Sequence, residues 1–221
     1  EWWYSYQFAS NKDGTIFAVS DPRYHENVKI YEYNASSNCG QGGYEQKGST
    51  ISNPNQYVKF GTNIKFNDEG TILFVSAPGK ENNYNAEIYV YEWNPSSNCG
   101  QGGWDQKGEK ITGSHYEEGA ALICNKEGTI IAYNTGYGGS STEEKVFVQE
   151  WNPSSNCGQG GWEQKGGNID IGTSYDGFGS FMDMNGDGTI IVIGAYKEED
   201  GGTDKGVIYV YEWNPRSNCG Q

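Results

Sequence analysis

The sequence predicts an all-β protein, and more narrowly a β-propeller built from four-stranded antiparallel blades. Three observations carry that reading. The composition suits strands and turns: of 221 residues, 33 are Gly, 17 Tyr and 7 Trp, and only Leu73 and Leu122 are leucines. Aromatic and β-branched residues fit a pleated, half-buried surface, and Gly serves tight turns. Next, a turn of the form Asp/Glu-Gly-Thr-Ile recurs, with Gly14, Gly70, Gly128 and Gly188 spaced 56, 58 and 60 residues apart. Finally, Asn-Cys-Gly-Gln recurs, with Cys39, Cys99, Cys157 and Cys219 spaced 60, 58 and 62 apart. Self-similarity at a nearly fixed period is the signature of a repeat architecture.

The repeats read as residues 1–55, 56–113, 114–173 and 174–221 of a single domain, 1–221. Four strands are expected per unit, A to D. In the last unit, Phe178–Asn185 is strand A. Gly188 turns the chain, because φ > 0 is easy for Gly. Thr189–Ala195 is strand B, apolar nearly throughout and so expected to be buried on both faces. Val207–Trp213 is strand C; alternation puts Ile208 and Val210 on one face and Tyr209, Tyr211 and Trp213 on the other. Strand D is the Gly-Gly-Trp-x-Gln segment with its trailing Ile, as in Gly160–Ile169, and the fourth unit lacks it. A lone sheet leaves both faces bare, so neighbouring blades must cover them. Trp162 is expected to pack between blades. Cys124 aligns with Phe66 and Met184 in strand A and reads as a buried apolar filler.

Charge and length exclude several functions. The formal net charge is −14, with acidic runs at Glu117–Glu118, Glu143–Glu144 and Glu198–Glu199–Asp200. Such a surface repels a phosphate backbone, so nucleic acid is not an expected partner. No apolar run is long enough for a membrane helix, and no signal peptide is visible. The chain opens with EWWYSYQ and no initiator Met, which points to a mature or partial product.

The ordered set of motifs resembles the FG-GAP-like, integrin-α-type propeller repeat, in the divergent form found in large secreted and surface proteins. Matching features are Phe60–Gly61, Phe178–Gly179, the Asp-Gly turn, Ser76-Ala77-Pro78, Gly194-Ala195 and the Trp-x-Gln-x-Gly strand. Unit three departs, with Glu118-Gly119 and Asn134-Thr135-Gly136 at the corresponding places. The resemblance implies strand A innermost and strand D outermost. It also implies an extracellular or cell-surface protein that binds or builds rather than catalyses.

Candidate sites follow from the motifs. Cys39, Cys99, Cys157 and Cys219 lie on the C–D loop at the outer rim. Radially splayed blades keep them too far apart to pair within one ring, since a disulfide needs Cα atoms within roughly 7 Å. They read as free thiols left by duplication, as disulfides to neighbouring chains or to a missing segment, or as a metal or covalent cofactor site. Strands must recur for packing, whereas the loop Ser-Ser-Asn-Cys-Gly-Gln-Gly-Gly has no evident packing reason to do so. Asp183, Asn185 and Asp187 match the front of a calcium loop without its later carboxylate; otherwise no cofactor is expected. Asn34-Ala35-Ser36 is a glycosylation sequon. Hydrolytic constellations are absent and only two histidines occur, so the chain is not expected to be an enzyme. The function expected is a non-catalytic structural or adhesive propeller contacting other protein chains, copies of itself among them. The alternative is a lectin-like propeller, which needs solvent-open aromatics in each repeat.

Overall fold

A computed structural model describes residues 6–53, 59–79, 86–113, 121–134, 144–171, 177–196 and 206–215. They form four antiparallel sheets in chain order. The first holds β1 (Gln7–Ser10), β2 (Ile16–Asp21), β3 (Asn27–Asn34), β4 (Gly43–Gln46) and β5 (Ile51–Ser52). The second holds β6 (Asn63–Phe66), β7 (Ile72–Ala77), β8 (Glu87–Asn94), β9 (Gly103–Gln106) and β10 (Ile111–Thr112). The third holds β11 (Leu122–Cys124), β12 (Ile130–Asn134), β13 (Lys145–Asn152), β14 (Gly161–Gln164) and β15 (Ile169–Asp170). The fourth holds β16 (Phe178–Met184), β17 (Ile190–Ala195) and β18 (Val207–Glu212). Each is a meander, and register is kept from blade to blade. Ala18 faces Ile30, Phe74 faces Val90, Ala132 faces Val148 and Val192 faces Val210.

Strand D departs from expectation. It is two short segments, β4 and β5 in the first blade, both paired to β3 with Lys47–Thr50 crossing between them. The break lets Lys47 N–H reach Ile30 O while its side chain leaves the sheet. The fourth sheet has three strands among the described residues.

The A–B turn is built by one asparagine per blade. Asn67 Oδ1 accepts the amides of Thr71 and Ile72 at 2.9 and 2.8 Å, and Nδ2 reaches Thr71 Oγ1. Asn125 and Asn185 repeat this arrangement, and Asn11 makes its Ile16 and Thr15 side-chain bonds. The glycine three residues on lies in the left-handed region, as at Gly128, φ +71°. A Cβ there would also meet Asn67 and Ile72 of the preceding blade at 3.0–3.2 Å. The turns are stitched to one another: Lys12 N–H donates to Asp68 O, Asp68 N–H to Lys126 O and Lys126 N–H to Gly186 O, at 3.0–3.1 Å.

The core lies between sheets. One apolar cluster joins the first and second blades through Val28, Ile30, Phe60, Leu73 and Tyr89. Another joins the second and third through Phe74, Val90, Ile131 and Tyr133. A third joins the third and fourth through Val146, Phe178 and Ile193. First strands neighbour first strands, β1 to β6 to β11 to β16, so strand A is innermost. The Phe-Gly motif belongs to these joints. Phe60 and Phe178 are fully buried, and a Cβ on Gly61 or Gly179 would collide with Ser20 or Asn134 of the preceding blade. Ser20 Oγ donates to Gly61 O at 2.6 Å across the same joint.

One expectation needs correction. Strand B of the last unit is not buried on both faces. β7 is buried at all six positions, but in β17 Ile190 and Val192 are 37% exposed. A strand's burial comes from its neighbours, and β17 has a described neighbouring blade on one side.

Candidate functional site

The outer rim carries the repeated structure with the most exposed chemistry. Two layers build it. The inner layer is a lysine–tryptophan lattice. Lys47 Nζ sits 4.5 Å above the Trp93 ring and pairs with Glu32 at 2.7 Å. Lys107 repeats this with Trp151 and Glu92, and Lys165 with Trp213 and Glu150. Each cation thus links the glutamate of its own blade to the indole of the next. These lysine side chains are 12–13% exposed, and a shielded cation–π contact contributes up to about 2 kcal/mol. Trp104 Nε1–H donates to Lys47 O, and Trp162 Nε1–H to Lys107 O. Trp162 stacks edgewise on Phe74 and Trp151, so it packs between blades as expected. At the third joint the corresponding positions, Val148, Lys165, Gly166, Ile169, Ile191 and Trp213, line a groove of about 190 Å³.

The outer layer is the cysteine loop. In the first blade, Asn34 Oδ1 accepts Ser36 N–H and its Nδ2 donates to Glu45 at 3.0 Å. Ser37 Oγ donates to the same carboxylate. Asn38 Nδ2 donates to Gly42 O at 2.9 Å. Blades two and three reproduce this with Asn94, Ser97, Asn98 and Asp105, and with Asn152, Ser155, Asn156 and Glu163. The hydroxyl and amide donors hold the carboxyls of Glu45, Asp105 and Glu163 below their ordinary values. Asn and Cys both take left-handed backbone in each of the three described loops, φ 50° and 57° at Asn38 and Cys39. Two consecutive non-glycine residues there are uncommon. The loop is also packed from below: a Cβ on Gly102 would lie 2.3 Å from Trp93, and one on Gly160 2.2 Å from Trp151. The loop therefore has a packing reason to recur, contrary to the sequence expectation, although that reason does not extend to the thiol. Cys39, Cys99 and Cys157 are free and exposed. Cys219 lies outside the described residues.

The other candidates are placed as follows. Asn34 is exposed, with its amide nitrogen engaged by Glu45. Asp183 Oδ1 accepts Met184 N–H, Asn185 Oδ1 accepts two turn amides, and Asp187 pairs with Lys126 at 2.9 Å. The oxygen that calcium would need from Asn185 is thus the turn staple common to all four blades. Among the described residues no three His, Cys, Asp or Glu side chains cluster as metal ligands. Cys124 is largely buried; its thiol donates to Phe66 O of the preceding blade at 3.3 Å, and desolvation pushes its pKa up to about 12. His25 Nδ1 meets Asp21 Oδ2 at 2.5 Å. The lysine–tryptophan lattice was missed in the sequence; its signal was a Lys fixed three residues after each D-strand aromatic.

Radial four-stranded blades, inner strand first and joined face to face, define a β-propeller. Within that class, residues 172–211 match the profile of the FG-GAP repeat, consistent with a divergent FG-GAP-like propeller. No curated protein matches the chain. Among solved structures it is similar to Chaetomium thermophilum Sqt1 bound to the N-terminus of the ribosomal protein L10. That likeness has a TM-score of 0.52 and 12% identity, covering 94% of this chain and 45% of that one. A candidate 6-phosphogluconolactonase from Bacteroides fragilis matches with TM-score 0.51 and 12% identity, over 75% of this chain and 38% of that one. The β-propeller domain of the Trilobed protease from Pyrococcus furiosus gives 0.48 and 10%, over 94% and 54%. The chain spans roughly two-fifths of the length of the Bacteroides structure. At these identities the likeness concerns the fold.

Proposed function

We propose that this chain is a non-catalytic propeller that contacts other protein chains in an extracellular or cell-surface assembly, with the rim loops as its contact surface. One observation carries the reading: three loops of the same backbone each present an exposed thiol at one blade's spacing. A periodic display suits a periodic protein surface, and in an oxidising setting the thiols suit disulfides to a partner. A propeller of similar fold, Sqt1, holds the N-terminus of another protein. No cofactor is required. The carbohydrate-binding alternative draws less support, since Trp104 and Trp162 are enclosed between blades rather than open in each repeat.

Mass spectrometry of unreduced protein, with and without reductant, tests the reading. Expected are intermolecular crosslinks mapping to Cys39, Cys99, Cys157 and Cys219, lost when these are changed to Ser without loss of fold. Free thiols in protein taken from its native surroundings, combined with glycan-array binding, would favour the lectin instead.

A further inference from the structure

Asn34-Ala35-Ser36 closes β3 of the first blade, and the function proposed above makes no use of it. It is the only Asn-x-Ser/Thr triplet in the 221 residues whose middle residue is not proline. The equivalent triplets of the later repeats are Asn94-Pro95-Ser96, Asn152-Pro153-Ser154 and Asn214-Pro215-Arg216. An N-linked oligosaccharide is attached at Asn-x-Ser/Thr where x is any residue but proline. Proline fixes its own φ at about −65° and restricts the residue before it, which holds such a triplet in one shape.

The first three triplets share one local geometry despite that difference. Ser36 N–H donates to Asn34 Oδ1 at 2.9 Å, Ser96 N–H to Asn94 Oδ1 at 2.9 Å and Ser154 N–H to Asn152 Oδ1 at 3.0 Å. Each asparagine faces the glycine that opens the outer strand: Asn34 faces Gly43, Asn94 faces Gly103 and Asn152 faces Gly161. Ala35 thus makes the turn that Pro95 and Pro153 make, so folding does not require proline there. Asn34, Ala35 and Ser36 are all exposed. Pro95, Ser96, Pro153 and Ser154 are exposed as well, so the exposure belongs to the rim and not to the open side of the first blade. Asn34 Nδ2 donates to Glu45 Oε2 at 3.0 Å. A primary amide nitrogen carries two hydrogens, so this bond uses one and leaves the other for a substituent.

We propose that Asn34 is the acceptor of an N-linked oligosaccharide, and that Ala35 is what confines the modification to the first rim. The donor is an oligosaccharide carried on a polyprenyl diphosphate. Its anomeric C1–O bond breaks and an Nδ2–C1 bond forms. The diphosphate leaves with the electrons of the broken bond, and the displaced amide proton passes to solvent. The glycan sets the first rim loop apart from the second and third, which otherwise share its backbone, its side-chain bonds and its thiol. In the cell the modification needs export, so it rests on the extracellular placement proposed above; the test supplies export separately.

That test is secretion of the 221-residue chain from a eukaryotic host behind a cleavable leader, followed by intact and peptide mass with and without peptide-N-glycosidase. Expected is one glycan, whose enzymatic removal leaves aspartate in place of Asn34. Asn34→Gln should lose it entirely. Pro95→Ala should gain a second glycan, at Asn94, because the two turns already share a geometry. A secreted chain bare at Asn34 overturns the proposal. So does a Pro95→Ala chain without the second glycan, since the proline would then not be what separates the blades. A bare chain that still crosslinks through its rim cysteines would remove the glycan and leave the proposed function standing. A glycosylated chain whose thiols stay free would do the reverse.

Discussion

The second and fourth blades start from nearly the same strand B and end in different environments. Ile-Leu-Phe-Val-Ser-Ala in the second is buried at every position; Ile-Ile-Val-Ile-Gly-Ala in the fourth alternates between burial and solvent. Both B strands hold six residues and keep the same register against strand C, Phe74 on Val90 and Val192 on Val210, so the difference does not arise within the strand. It teaches that in this repeat the sequence specifies a blade, whereas the stabilising free energy comes from the joint between blades. Hydrophobic burial is proportional to area removed from water, and a blade with one neighbour buries one face.

The sharpest way to break the comparison is at its paired centres. Phe74→Ala in the second blade is expected to cost about 3–5 kcal/mol, the usual range for a buried Phe. Val192→Ala at the equivalent place should cost under about 1 kcal/mol, the removed methyls being partly in water already. Urea unfolding of both variants reads the difference; similar losses would show that the fourth face is covered in solution.

A finer contrast uses glycines of equal backbone. Gly14 and Gly128 have φ of +69° and +71°. A Cβ on Gly14 meets nothing within 4 Å, whereas one on Gly128 meets Asn67 and Ile72. Gly14→Ala should cost about 1–2 kcal/mol from left-handed strain alone. Gly128→Ala should add about 1–3 kcal/mol of overpacking. The difference between the two melting curves isolates the contact between turns.

The smallest effect lies in the rim. Glu163 has its folded pKa held below its ordinary value by Ser155 and Asn152. Its contribution is therefore present above the unfolded pKa and is lost as pH falls through the folded one. Glu163→Gln should lower the melting temperature slightly at neutral pH. The two proteins should converge below the ordinary carboxylate range. A gap that persists in acid would assign the loop's order to other bonds.

Much of this was legible in the residues. The Asp/Glu-Gly-Thr-Ile turn places every A–B hairpin because its Gly needs left-handed backbone. The alternation of Ile208 and Val210 with Tyr209 and Tyr211 places them on opposite faces, and the structure agrees. The packing role of Trp162 followed from its size. The break in strand D did not show, because Lys47 and its counterparts leave the sheet for a partner in the next blade, about 46 residues onward at Trp93. The rim loop's need for Gly102 was hidden for a related reason: the ring that fills the space above it comes from Trp93, on the far side of the turn.

The sequence alone determined the repeat, its period, the strand content and the turn positions, since backbone preference and side-chain alternation act over a few residues. Tertiary structure alone decided which of two equivalent faces is core and which is solvent. The same apolar columns are buried on the first three blades and open on the fourth, because burial belongs to a pair of surfaces and not to either strand.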